Sequence, residues 1–256
     1  MAKEKRVTTG LVLRAVDTKE TDRILTVLTA DLGKISVVAK GARSRRSRVA
    51  AATQPLAYAE MTLTESHGWQ ILSEANTIAL FDGVSRDVEL LALASYFAEL
   101  VDAVTYEGMS APEVLALTLN ALYALGELGR DQMLVKAAFE LRLMALAGFE
   151  PFSEGCLRCG AEQPAEPMLD VVRGEVHCAG CRVSGGLAMP LEAGGLAALR
   201  HILRCDPTRL YSFTLEKEPL ERLSHAAEAY VAAQLERGFR TLDFYKSLRR
   251  DLTVSL

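Results

Sequence analysis

The chain has 256 residues, half of them hydrophobic and 24% charged, with a formal net charge of −4. That composition excludes wholesale disorder and leaves room for one large domain or two to three smaller ones. No run of 18 apolar residues occurs and the opening MAKEKRVTTG has no apolar stretch, so neither a transmembrane helix nor a signal peptide is expected, and the chain reads as cytoplasmic.

The first 80 residues read as strands. Thr9–Val16, Arg23–Thr29 and Lys34–Ala39 are apolar, partly β-branched runs, and Asp31-Leu32-Gly33 is a hairpin turn between the last two. Pro55–Thr64 and Gln70–Leu80 follow, joined by His67-Gly68-Trp69. Five short strands suit a small barrel whose closure removes exposed edges, and a five-stranded barrel of this length is what an OB-fold looks like from sequence.

From residue 84 the apolar period becomes 3.6. Leu90, Leu91, Ala94, Phe97, Ala98 and Val101 share one face of a helix ending near Gly108. Ser110 is placed as the N-cap of a second helix, with Pro112 in its first turn and Glu113 completing a capping box. Asp131 caps a third helix, Gln132–Ala147, stopped by Gly148. Residues 151–190 lose helical periodicity and gain Pro, Gly and Cys. Helices resume over Leu191–Cys205 and Leu220–Phe239, and Thr241–Asp251 reads as a short last helix. The expected fold is multidomain, β plus α: an N-terminal five-stranded OB-fold barrel (1–81) followed by an α-helical domain (82–150 and 191–256) with an embedded four-cysteine zinc segment (151–190).

Cys156-Leu-Arg-Cys159 and Cys178-Ala-Gly-Cys181 are separated by 18 residues, the two-knuckle spacing of a zinc site. Two residues between thiols let both sulfurs reach one ion, and a second pair completes a tetrahedron. One structural Zn2+ held by Cys156, Cys159, Cys178 and Cys181 is therefore expected, with Gly160 and Gly180 easing the knuckle turns. Four thiolates close the shell, so no activated water is expected. A redox switch is the minor alternative. His177 adjoins a knuckle, and Cys205 reads as a packed thiol.

Charge is uneven along the chain. Residues 1–48 hold 12 Lys and Arg against 5 Asp and Glu, and no acidic residue occurs between Asp31 and Glu60. Within that stretch Lys34, Lys40, Arg43, Arg45, Arg46 and Arg48 make a cationic segment rich in small residues, suited as a flexible loop to follow a phosphate backbone. A mobile, solvated loop remains the alternative on charge alone.

Thr9-Gly-Leu-Val-Leu-Arg14, Glu20-Thr-Asp-Arg-Ile-Leu-Thr26, Gly33-Lys-Ile35, and Ala39-Lys-Gly-Ala-Arg43 with Ser47-Arg48 resemble, in order and spacing, the N-terminal domain of the RecO recombination mediators. The helical middle, the cysteine knuckles and the closing Lys246-Ser-Leu-Arg249 are similar too. The resemblance implies an OB-fold, a helical domain and a zinc segment. It implies a protein that binds single- and double-stranded DNA, anneals complementary strands, and with RecR helps RecA replace single-strand-binding protein. By this similarity Lys40, Arg43, Arg45, Arg46 and Arg48 are expected phosphate contacts, with Lys34, Arg14 and Arg23 on the barrel face. The tail of single-strand-binding protein would meet the helical part, where Arg200, Arg204 and Arg209 are candidates equally well read as ordinary surface arginines; Lys246, Arg249 and Arg250 could extend the DNA track, with a solvated helix end as the default. Only Tyr58, Trp69 and Phe81 offer aromatic surface on the barrel, with Trp69 open to stacking and the other two expected in the core.

The rival classes are an enzyme and an RNA-binding or transcription-associated module. No P-loop, G-x-S-x-G or H-E-x-x-H occurs, and the four histidines, His67, His177, His201 and His225, show no pairing by spacing. Glu218 and Glu221 read as charge at a helix start. No enzyme is expected. RNA discrimination would need contacts to the 2′-hydroxyl, which sequence alone does not address.

Overall fold

Runs rich in Val, Ile and Leu form β1 (Lys5–Thr18), β2 (Asp22–Thr29), β3 (Gly33–Ala39), β4 (Tyr58–Ser66) and β5 (Trp69–Ala79). The computed structural model describes residues 5–181 and 184–254, with side chains to residue 249. The five strands close into a barrel in the order β1-β2-β3-β5-β4, with β1 sealing it against β4. Every pairing is antiparallel except that of β3 with β5. β1 serves two neighbours because it is 14 residues long and bends at a bulge between Val12 and Arg14. This is the expected OB-fold. Val12, Leu25, Val27, Val37, Met61 and Leu63 fill its interior. At Gly10 a β-carbon would lie 2.6 Å from Val27 Cγ1, so the tight curl of β1 over β2 requires glycine there.

Helices then take over: α1 (Asp82–Ser85), α2 (Val88–Val104), α3 (Pro112–Gly126), α4 (Gln132–Leu146), α5 (Glu192–Arg204), α6 (Lys217–Leu235) and α7 (Arg240–Val254). Between α4 and α5 a small sheet of β6 (Pro167–Asp170), β7 (Glu175–Cys178) and β8 (Ala188–Pro190) is ordered β7-β6-β8. The chain forms two compact units, Met1–Glu127 with Phe239–Leu256, and Leu128–Gly238.

In the first unit α2 packs on β1 and α3 on β2, while α1 and α7 pack on α2. Tyr96 and Phe97 of α2 are fully buried, and Tyr96 meets Phe239 edge-on at 5.6 Å. Glu99 of α2 caps α7, accepting from the Thr241 N–H at 3.1 Å and from its hydroxyl. In the second unit α4 carries a buried ion cluster. Lys136 Nζ lies 2.9 Å from Glu140 and 3.2 Å from Glu228 of α6. Burial pushes the Lys136 pKa down, but the two carboxylates outweigh it and leave it raised.

Local signals predict some ends well. Asp131 accepts from the N–H groups of Met133 and Leu134 at 2.8 and 2.9 Å, as expected of an N-cap. At the other end of α4, Gly148 takes φ 90° and the Phe149 N–H returns to the Met144 carbonyl, a Schellman closure. Ser110 is not a cap. Ala111 holds that position, Pro112 supplies the preset first turn, and the Ser110 hydroxyl turns to the Ala30 carbonyl instead. The helix expected over 220–239 starts three residues earlier and ends at Leu235, where Glu236 adopts φ 51°. A left-handed non-glycine costs about 1–2 kcal/mol, so sequence gives little warning of it.

Candidate nucleic-acid interface and metal centre

The cationic segment leaves β3 at Ala39 and is tied down at once. Ala42 is buried to 1% exposure in the barrel core, and Val49 packs against the same cluster. Asp22 accepts from the Gly41 N–H at 2.8 Å, and the Arg43 N–H donates to the Thr21 carbonyl at 2.9 Å. Successive turns follow, Ser44 N–H to the Gly41 carbonyl and Ser47 N–H to the Ser44 carbonyl. The expectation of a flexible loop is thus corrected: small residues are there because one face of the loop packs, and the turns set where its side chains point.

That ordering sorts the cations. Arg43 is half engaged, with Nε 3.1 Å from Asp17 Oδ2 and Nη1 donating to the Glu20 carbonyl. Arg23 takes the other Asp17 oxygen at 3.0 Å. Lys34 stands apart and is committed inward, its ammonium 2.8 Å from the Asp102 carboxylate and 2.6 Å from the Asp102 carbonyl. Lys40, Arg45, Arg46 and Arg48 are exposed and make no hydrogen bond or ion pair among the described residues. Arg14 is exposed on β1 and reaches Thr26 Oγ1 at 3.4 Å. On the barrel wall Trp69 is exposed, while Tyr58 and Phe81 are only partly buried, so neither is the core residue expected of it. Lys246 and Arg249 lie on α7, with Arg249 3.2 Å from the Tyr245 hydroxyl; the Arg250 side chain lies outside the described residues.

In the second unit Cys156, Cys159, Cys178 and Cys181 converge, with every sulfur within 4.8 Å of the others. A tetrahedron with metal–sulfur bonds of about 2.3 Å has edges of about 3.8 Å. The Cys159–Cys178 separation is 3.8 Å. The donor set and its spacing fit a metal ion bound by four thiolates. Gly160 reaches φ 75° to turn its knuckle, whereas Gly180 has an ordinary φ and is not required by the second one. His177 is buried with Nδ1 2.8 Å from the Cys178 carbonyl, outside the cluster. Cys205 also lies outside it, half-buried, its thiol raised chiefly by burial.

Burial raises the Cys156 thiol, but N–H groups of Cys178, Cys159 and Arg158 outweigh it and bring its pKa down to about 6. Cys181 is pushed up to about 12, first by its hydrogen bond to Cys159 and then by burial. A bound cation reverses that mutual crowding, because the thiolate is the ligand form.

Arginines hold the segment in shape. Arg200 donates to the carbonyls of Ser153, Glu154 and Glu162 at 2.8, 3.0 and 2.7 Å. Arg204 pairs with Glu154 at 2.6 Å and Arg158 with Glu175 at 2.5 Å. Arg200 and Arg204 are therefore scaffold and not a free docking pocket, and only Arg209 of the three candidates has an uncommitted guanidinium among the described residues. Between the knuckles β6 and β7 form a hairpin that turns at Arg173-Gly174, with Gly174 at φ 68°. The third strand β8, three residues long, was not legible in the sequence. Glu218 and Glu221 pair with Arg222 and Lys217 along α6. Among the described residues no helix is long and apolar enough to cross a membrane.

The class is thus defined: a closed five-stranded OB barrel with an ordered, largely unpaired cationic loop, and a second unit whose four cysteines are spaced to hold a metal ion. Residues 1–81 match the model for "Recombination protein O N terminal", and residues 85–243 match "Recombination protein O C terminal". Proteins called "DNA repair protein RecO" are similar over nearly the whole chain. That of Acetivibrio thermocellus is 31% identical over 243 residues, 95% of this chain and 97% of the relative. That of Symbiobacterium thermophilum is 32% identical over 243 residues, covering 94% and 96%. That of Desulforudis audaxviator is 32% identical over 241 residues, covering 94% and 96%. The chain belongs to the RecO family of DNA repair proteins.

Proposed function

We propose that this chain is a non-enzymatic recombination mediator that binds single- and double-stranded DNA through the loop after β3. It acts in the cytoplasm on the nucleoid, anneals complementary strands, and with RecR helps RecA replace single-strand-binding protein, as the family resemblance implies. The observation that carries the reading is the set of four unpaired cations, Lys40, Arg45, Arg46 and Arg48, on a loop whose backbone is fixed by Ala42 and Asp22. Ordered cations meet phosphates with little entropy left to lose, and they carry no base code. Such a surface can hold two strands while leaving their base edges free to pair. Arg43 joins the track with one edge of its guanidinium. Lys34 is left out, because its charge is neutralised by Asp102.

The metal is zinc on this reading, held by Cys156, Cys159, Cys178 and Cys181, and its contribution is to cross-link a segment too small to fold on its own core. Four thiolates complete its coordination and leave no position for a reacting water. The segment's described arginines, Arg158 and Arg173, pair internally, so on this reading zinc supports folding and takes no part in gripping DNA.

A fluorescence titration of labelled single-stranded DNA across salt concentrations tests the DNA reading, wild type against Lys40, Arg45, Arg46 and Arg48 all changed to Ala. The expected result is a folded variant with weaker binding and a log–log salt slope shallower by about 3, from roughly 0.7 per phosphate on a single strand. Equal affinity and equal slope in both proteins would place DNA elsewhere.

A further inference from the structure

A single exposed apolar side chain needs no explanation, but Trp69 has unusual surroundings. It is the chain's only tryptophan and stands 51% exposed on the barrel wall. Its position is fixed by a tight hairpin: Ser66 pairs with Trp69, and the two residues between, His67 and Gly68, both take positive φ, 52° and 78°. The indole is therefore presented by rigid structure rather than by a loose loop tip.

Trp69 borders two concavities of opposite character. One, of about 390 Å³, carries the Glu107 carboxylate, and its lysine, Lys34, is neutralised by Asp102. The other, of about 300 Å³, is lined by Ile24, Val38 and Ile71 with His67 and Lys40. Lys19 there is paired with Asp22 at 3.7 Å, but Lys40 has no partner among the described residues and begins the cationic loop. An indole face, short branched apolar walls and an unneutralised ammonium leading into a row of free arginines suit a planar aromatic group attached to a polyanion. In a duplex every base is covered by its neighbours, so only a single strand offers such a group without unstacking.

We propose that the Trp69 concavity takes one unstacked base of single-stranded DNA, with Lys40 on the adjoining phosphate. This rests on the DNA-binding reading above and adds selectivity to it: the arginine loop grips any phosphate backbone, and the Trp69 site favours the single strand.

Because Trp69 is the only tryptophan, intrinsic emission of the full chain reports this site alone. Titration with a thymidine homopolymer should quench it, and a hairpin-closed duplex should bind without quenching. Trp69→Ala should weaken single-stranded binding by roughly 5- to 100-fold while leaving duplex affinity and the salt slope unchanged. Trp69→Phe should restore most of that loss. Unquenched emission on bound single strands, or Trp69→Ala binding both forms as wild type does, would overturn the base site and leave the DNA-binding reading standing. A loss shared equally by single strand and duplex would also overturn it. If wild type binds neither form, both readings fall together.

Discussion

The loop after β3 and the four-cysteine segment with its supporting helix α5 both carry arginines, yet they use them in opposite ways. In the segment and its supporting helix, Arg158, Arg173, Arg200 and Arg204 each have a carboxylate or carbonyl partner within the second unit. In the loop, Arg45, Arg46 and Arg48 have none among the described residues. An arginine's planar fork of donors is suited to either task. What separates the tasks is the local supply of acceptors. The segment offers Glu154, Asp170 and Glu175 together with open loop carbonyls, while the loop has no acid in sequence between Asp31 and Glu60. Self-satisfied arginines build a scaffold, and unsatisfied ones form a surface for an external anion.

The largest effect should come from removing the metal centre. Cys178→Ser leaves three thiolates, and structural zinc in small domains carries on the order of 10 kcal/mol of folding free energy. The variant is expected to lose bound metal by atomic absorption and to give up hydrogen-exchange protection across 151–190. Single-stranded DNA affinity of the folded fraction should stay within about twofold of wild type, since the cations of the grip lie in the other unit. A metal-free variant that keeps its fold but loses DNA would break the contrast between scaffold and grip.

Both regions were legible in sequence as far as their signals were local. The two C-x2-C knuckles are each a short-range pattern, and the sulfurs do converge. The barrel strands and the Asp131 cap follow from composition within a few residues. What sequence could not show was partner choice over distance. Lys34 looks like any other cation of its stretch until Asp102, 68 residues on, is seen to hold it. Arg43 and Arg45 are indistinguishable until Asp17 is placed beside the first. Ser110 has every local feature of a cap, and the Ala30 carbonyl, 80 residues away, takes its hydroxyl. β8 lacked a signal because three residues cannot show alternation.

A smaller effect sharpens the contrast inside the second unit. Lys136→Met removes the cation paired with Glu140, which is fully buried, whereas Glu228 keeps some exposure to water. Breaking a buried pair from one side costs about 3–5 kcal/mol, and urea unfolding should show a loss of that size. Changing Glu140 to Leu as well should recover much of it. Lys40→Ala, by comparison, should fall within about 0.5 kcal/mol of wild type in stability, as expected where a charge has no internal role.

The last prediction concerns acid. Asp170 sits at the β6–β7 turn, accepting from the N–H groups of Val172 and Arg173 at 3.1 Å each and pairing with the Arg173 guanidinium at 2.8 Å. Burial alone would raise its pKa, but the Arg173 side chain and the two N–H groups outweigh it and hold the carboxyl below the ordinary range. The folded pKa is thus lower than the unfolded one, about 3.9. The stabilisation is fully present above that value and is lost as pH falls from there through the lower folded pKa. Asp170→Asn should cost about 1–2 kcal/mol at neutral pH, since hydrogen bonds to a charged group are lost or weakened. The mutant's stability curve should then converge on wild type as pH falls below the unfolded value of about 3.9 and on through the lower folded pKa, where the wild-type carboxylate is protonated too. The free arginines of the loop have no such carboxylate to lose, so the same acid titration should leave the unfolding of an Arg45→Ala variant parallel to wild type at every pH. Convergence in both variants would mean that the loop arginine has an internal partner after all.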